Sequence, residues 1–74
     1  MKPESILEES LFETRPYVEY WDELKKLVEK LWKEASNREE FIRRLEDEMR
    51  KAKEPFKTDI KIFIQKFRAA EESP

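Results

Sequence analysis

Residues 16–35 read PYVEYWDELKKLVEKLWKEA, and this stretch decides the fold. Tyr17, Trp21, Leu24, Val28, Leu31 and Ala35 recur at alternating spacings of four and three, which sets them on one stripe of an α-helix. Tyr20, Leu27 and Trp32 flank the stripe, so the apolar arc covers about half of the helix, against roughly 100° for an ordinary surface helix. A helix of this kind, predicted over residues 16–35, touches more than one neighbour.

On its C-terminal side, Ser36-Asn37-Arg38-Glu39-Glu40 carries two overlapping capping boxes, Ser36 with Glu39 and Asn37 with Glu40. Asn37 is expected to take the left-handed conformation that a glycine usually supplies at a helix end. A second helix over residues 37–53 follows, with Phe41, Ile42, Leu45, Met49 and Ala52 on one face. Pro55 then opens a third over residues 55–71, where Phe56, Ile60, Phe63, Phe67 and Ala70 resume the helical spacing. Ile60, Ile62 and Ile64 also alternate with the period of a strand, but a lone strand has no partner in this chain, so the helix is preferred. Upstream, Pro3 and the box formed by Ser5 and Glu8 start a short helix over residues 3–12 with Ile6, Leu7 and Leu11 to bury. Pro3, Pro16 and Pro55 thus read as helix openers, and Pro74 is the last residue.

These elements predict an all-α fold: a three-helix up-down-up bundle, residues 16–35, 37–53 and 55–71, with an additional short N-terminal helix or arm within residues 1–14. The 74 residues form one domain, and a chain this short buries only roughly 60% of its unfolded surface. The expected core is Trp21, Leu24, Val28, Leu31, Phe41, Leu45, Met49, Ile60, Phe63 and Phe67.

Composition narrows the function. The chain contains no glycine, cysteine or histidine, and 46% of it is charged. That removes disulfides, thiolate metal sites and imidazole chemistry, and leaves carboxylates, lysine, tyrosine and serine as the groups able to act as base or nucleophile. The neighbouring acids Glu8 and Glu9, Glu39 and Glu40, and Glu46-Asp47-Glu48 read as solvated faces, and those from Glu39 onward have basic residues one turn away. The Glu-x-x-His pair of a helical di-metal centre is absent. The expectation is a protein that is not an enzyme, with no cofactor, no metal and no small-molecule substrate. Glu4, Glu8 and Glu9 break any apolar segment near Met1, and the longest aliphatic and aromatic run is Ile62-Phe63-Ile64. A soluble, cytoplasmic chain without export signal or membrane contact is therefore expected.

Charge is unevenly spread. Residues 1–24 hold two basic and seven acidic side chains, and residues 25–74 hold fourteen and eleven, for a net charge of -2. Acid-first pairs four apart occur at Asp22 and Lys26, Glu29 and Lys33, Glu34 and Arg38, Glu39 and Arg43, Glu40 and Arg44, Glu46 and Arg50, and Asp47 and Lys51. At an average glycine usage of about 7%, a chain this long lacks glycine about once in two hundred cases. With its capping boxes, helix-opening prolines and paired surface charges, the whole chain resembles computationally designed helical mini-proteins, de novo or built on a redesigned scaffold. That resemblance implies a role in the fold itself or in binding a protein. Off-pattern residues such as Ile62 depart from it, and a thermophile's ion-pair networks are the other explanation of the charge pattern.

Three surfaces stand out. Thr58, Ile62, Gln65 and Ala69 form a second uncharged row on the last helix; either the N-terminal helix covers it through Ile6, Leu7 and Leu11, or it meets a partner or a second copy. Trp32, at the edge of its stripe, extends such an interface or forms the rim of the core. Tyr17-Val18-Glu19-Tyr20-Trp21-Asp22-Glu23-Leu24 is similar to the transactivation helix of a tumour suppressor that inserts three anchors into a ubiquitin ligase's cleft. The resemblance maps those anchors onto Tyr17, Trp21 and Leu24, with tyrosine in place of phenylalanine at the first. The same residues also belong to the core stripe. Finally, Arg43, Arg44, Arg50, Lys51, Lys53, Lys57 and Lys61 gather around the last connection, interleaved with Glu46, Asp47, Glu48 and Glu54, which makes nucleic acid an unfavoured partner. The leading expectation is a non-enzymatic, designed helical module whose role is the fold itself or protein binding through an exposed helix face. The alternative is a small natural regulatory or adaptor domain from a thermophile, touching nucleic acid through the basic elbow from Arg50 to Lys61.

Overall fold

The computed structural model describes residues 3–72; Pro74 lies outside the described residues. The chain forms α1 (Pro3–Thr14), a 3-10 turn (Arg15–Tyr17), α2 (Trp21–Glu34), α3 (Arg38–Lys51) and α4 (Phe56–Glu72). The fold is all-α, and the isoleucines at 60, 62 and 64 lie within α4. Cross-helix contacts give the directions. Arg38 meets Glu71 and Arg68 meets Glu46, so α3 and α4 run antiparallel. Trp32 lies against Phe67 while Tyr20 lies against Phe56, so α2 and α4 run parallel. The up-down-up bundle follows, with α1 packed most closely on α4.

The core is continuous through all four helices. Leu24, Val28, Phe41, Leu45, Ile60, Phe63 and Phe67 are fully buried, and Ile6, Leu7, Leu11, Leu31, Ile42 and Ile64 complete it. At about 1.5–3 kcal/mol for each large apolar side chain removed from water, this cluster is the main source of stability. Edge-to-face contacts organise its aromatic part: Phe41 stands 5.0 Å from Trp32 and 5.2 Å from Phe67, ring centre to ring centre. Trp21 and Met49, expected inside, are half-buried packing at the margin. Ile6, Leu7, Leu11, Ile42 and Ile64 are buried in addition, the first three because α1 closes over the bundle and extends the core.

Two of the residues that α1 buries are small and polar. Ser10 and Thr14 are fully buried, and their hydroxyls donate to the carbonyls of Ile6 and Ser10 at 2.7 Å, so neither polar group is left unpaired. Ser5 lies inside α1, exposed, and does not stand as its N-cap. The helix also runs two residues past the expected Phe12, to Thr14.

The α1–α2 connection departs most from expectation. Instead of one helix from Pro16, the chain makes a single 3-10 turn, passes through extended Val18, and starts α2 at Trp21. The cause is Asp59. This α4 carboxylate, 2% exposed, accepts the amides of Glu19 (3.2 and 3.3 Å to its two oxygens) and Tyr20 (2.9 Å). Charge-assisted bonds of this kind are roughly twice as strong as neutral ones and draw these amides away from helical pairing.

At the other end of α2, Asn37 is extended (φ -157°, ψ 176°) and not left-handed, and it caps α3 by accepting the Glu40 amide at 2.8 Å. The Glu40 carboxylate returns to the Ser36 amide, at 3.1 Å, so the two expected boxes merge into one that crosses between them. Because no described residue has a positive φ, nothing in these connections requires glycine. α3 then closes at Ala52, whose amide donates to the carbonyls of Glu48 and Met49.

Candidate functional site

α1 and α2 both lean on α4 and leave a groove between them. Near the end of α1, a cleft of about 310 Å³ is lined by Glu8, Leu11, Phe12, Arg15, Trp21, Lys25 and Glu29. A second cleft, lined by Leu7, Glu29, Trp32 and Lys33, shares Glu29 with the first. From Trp21 to Trp32 the groove therefore follows α2 for eleven residues, about 16 Å at 1.5 Å per residue. Leu7 and Leu11 provide apolar floor, and a tryptophan stands at each end.

Phe12 dominates the rim. It is 77% exposed, the most exposed of the large apolar side chains. The helical wheel explains this: Ile6, Leu7, Ser10, Leu11 and Thr14 occupy the inward arc of α1, and Phe12 falls outside it with exposed Glu8, Glu9 and Glu13. Across the cleft, the Arg15 guanidinium lies 5.8 Å from the centre of the Trp21 ring, a cation–π contact that orients it along the groove wall. Among the described residues, Arg15, Lys25 and Lys33 form no ion pair.

The residues singled out from sequence divide between surfaces. Trp32 is half-buried, with its ring against Phe41 and Phe67 and an edge in the groove, so it serves as core rim and groove wall together. Thr58, Gln65 and Ala69 are exposed and Ile62 is half-buried, so α1 packs on α4 without covering that row. Lys66, one turn after Ile62, sits 5.0 Å from the centre of the Tyr17 ring and joins the row to that exposed tyrosine. Tyr17, Trp21 and Leu24 do not share one helix: Tyr17 is in the 3-10 turn and 63% exposed, Trp21 begins α2 half-buried, and Leu24 is fully buried. The three-anchor geometry of the transactivation helix is thus absent.

In the basic elbow, Arg44 is engaged by Glu40 (2.8 Å) and Glu34 (3.5 Å), and Arg50 by Asp47 (2.6 Å). Glu54 accepts the Thr58 hydroxyl (2.7 Å) and amide (2.8 Å), and these bonds hold its carboxyl below the usual glutamate range. Lys57 and Lys61 lower it further. Glu40 is held low by its bonds with the Arg44 side chain first and the Ser36 amide second. Of the seven expected acid-first pairs, only Glu40 with Arg44 forms among the described residues. Glu34, Arg38 and Glu46 reach across to neighbouring helices, and Asp47 takes Arg50 at three residues' spacing. Exposed pairs differ by tenths of a kcal/mol, so tertiary proximity overrides the helical preference.

Phe12 and Asp59 escaped the sequence reading. Asp59 had a signal, since it falls between Phe56 and Phe63 on the buried face of α4, where a charge needs partners. Phe12 had one too, as the aromatic outside the apolar arc of its own helix.

The family model described as the MJ1579 family matches residues 4–72, which spans α1, the bundle and the whole groove. The chain belongs to the MJ1579 family. Membership in this natural family overturns the reading of the chain as a designed mini-protein. The absence of glycine and the density of charge are properties of a natural MJ1579 domain whose helix ends are closed by Asn37, Asp59 and Glu54. No curated protein and no solved structure matches the chain. No helix among the described residues is long and apolar enough to cross a membrane.

Proposed function

We propose that this MJ1579-family domain is a non-enzymatic adaptor that docks an apolar helix bearing carboxylates, from a partner protein, in the groove between α1 and α2. The single observation that carries the reading is Phe12, held 77% exposed on the rim of a cleft whose far wall is the Arg15–Trp21 stack. An exposed aromatic beside a half-buried tryptophan and an arginine has the composition of a binding hot spot. Charge selects the occupant. Arg15, Lys25 and Lys33 line the groove against Glu8 and Glu29, so it carries an excess of positive charge within a chain of net -2. Helix-in-groove recognition reads anchors at i, i+3, i+4 and i+7, and about 16 Å accommodates three of them. The absence of histidine and cysteine supports a binding role over catalysis.

The test is titration of the full chain with two synthetic amphipathic helices that share phenylalanine and leucine anchors, one with glutamates and one with lysines elsewhere. The acidic peptide is expected to shift the emission of the groove tryptophans Trp21 and Trp32 in the wild-type chain, and to weaken with salt. No shift with the acidic peptide, or an equal response to the basic one, overturns the reading.

A further inference from the structure

We infer that the helix taken up by this groove is α1 of a second copy of the chain, which makes the domain a weak, two-fold symmetric dimer. The inference rests on the groove reading above and names its occupant. The groove calls for an apolar helix with carboxylates, and the outer face of α1 has that chemistry: exposed Phe12 surrounded by exposed Glu8, Glu9 and Glu13.

The geometry is self-complementary. Phe12 is both the projecting side chain and part of the cleft's own lining, so the same patch supplies knob and hole, as an isologous interface requires. A two-fold axis parallel to α1 and beside it, on the groove side near Phe12, seats each α1 between α1 and α2 of the other copy. It brings the two Phe12 rings together beside the Trp21 walls. It also sets Glu9 and Glu13 of one copy against Lys25 and Arg15 of the other, pairing carboxylates with the cations that have no ion pair among the described residues.

Area decides the strength. α1 has 12 residues, about 18 Å of helix, and two helix diameters span about 20 Å, so the patch projects over about 360 Å². That is under half of the about 800 Å² per side of a standard interface, and it predicts association only at high concentration.

Sedimentation of the full chain from about 10 μM to about 1 mM tests this, with Phe12→Glu and Ile62→Glu alongside, over concentrations where a weak interface populates. The wild-type average mass is expected to rise toward twice the monomer and to fall back in high salt. Phe12→Glu should remain monomeric with an unchanged thermal melt, and Ile62→Glu should associate like the wild type. A wild-type monomer throughout overturns the inference, as does association that survives Phe12→Glu or is lost with Ile62→Glu. If the chain stays monomeric while the acidic peptide still shifts the tryptophan emission, the second copy is excluded and the groove reading stands. If both experiments are negative, both fall.

Discussion

The two ends of α2 are held in opposite ways. At its C-terminal end everything needed lies within a few residues: Asn37 caps the Glu40 amide, and Glu40 answers to the Ser36 amide. At its N-terminal end the chain turns only because Asp59, about forty positions later, accepts the Glu19 and Tyr20 amides. The first connection is a local device, complete within five consecutive residues. The second exists only once α4 is docked, and it carries α1 and the groove with it.

Substitution of Phe41 sets the upper bound on this contrast, since it sits beneath the locally capped end and touches Trp32, Phe63 and Phe67. Phe41→Ala is expected to cost about 3–5 kcal/mol in chemical denaturation, and a loss below about 1 kcal/mol would show that the aromatic cluster is not the structural centre. Next comes Asp59→Ala, which strips two amides of their acceptor, at about 0.5–1.5 kcal/mol for each part-buried hydrogen bond lost. Here the distribution of the effect matters more than its size. Hydrogen exchange should accelerate at Glu19, Tyr20 and through α1, and remain slow in α3; uniform acceleration would erase the distinction between the two ends.

Asn37→Ala should cost about 1 kcal/mol and leave exchange in α1 unchanged, because its cap is self-contained. The smallest effect is acidic. Glu40 and Glu54 have lowered native carboxyl values, so their contribution is fully present above the ordinary glutamate range near about 4.3 and is lost as pH falls through the lower native values. Glu40→Gln and Glu54→Gln should therefore melt below the wild type at neutral pH and converge with it in strong acid. Variants that differ from the wild type equally at both pH values would show that charge is not what these bonds use.

Much of the fold could be read without the structure. Four helices, their order and most of the core followed from apolar spacing, because α2, α3 and α4 each bury a periodic face. The resemblance to designed proteins failed because a style of composition reflects helix physics as much as authorship, and the family match contradicted it. The site was less accessible. From sequence, Trp32 reads as an interface extension or a core rim, and the row at Thr58, Ile62, Gln65 and Ala69 as a face for α1 or a partner, yet the groove needed Phe12 and Arg15 brought beside Trp21. Those three belong to α1, the 3-10 turn and α2, and no single period connects them.

By itself the sequence determined the helices, the faces they bury and the Asn37 cap, since these depend on neighbours within about two turns. Only the tertiary structure decided where α2 begins, which carboxylate each arginine meets and that α1 leaves a groove open against α2. Each of those outcomes depends on a buried charge or an interhelical contact between residues far apart in the chain. Asp59 makes the point in one side chain: in the sequence it is one acid among eighteen acidic residues, and in the fold it holds the turn that positions Trp21.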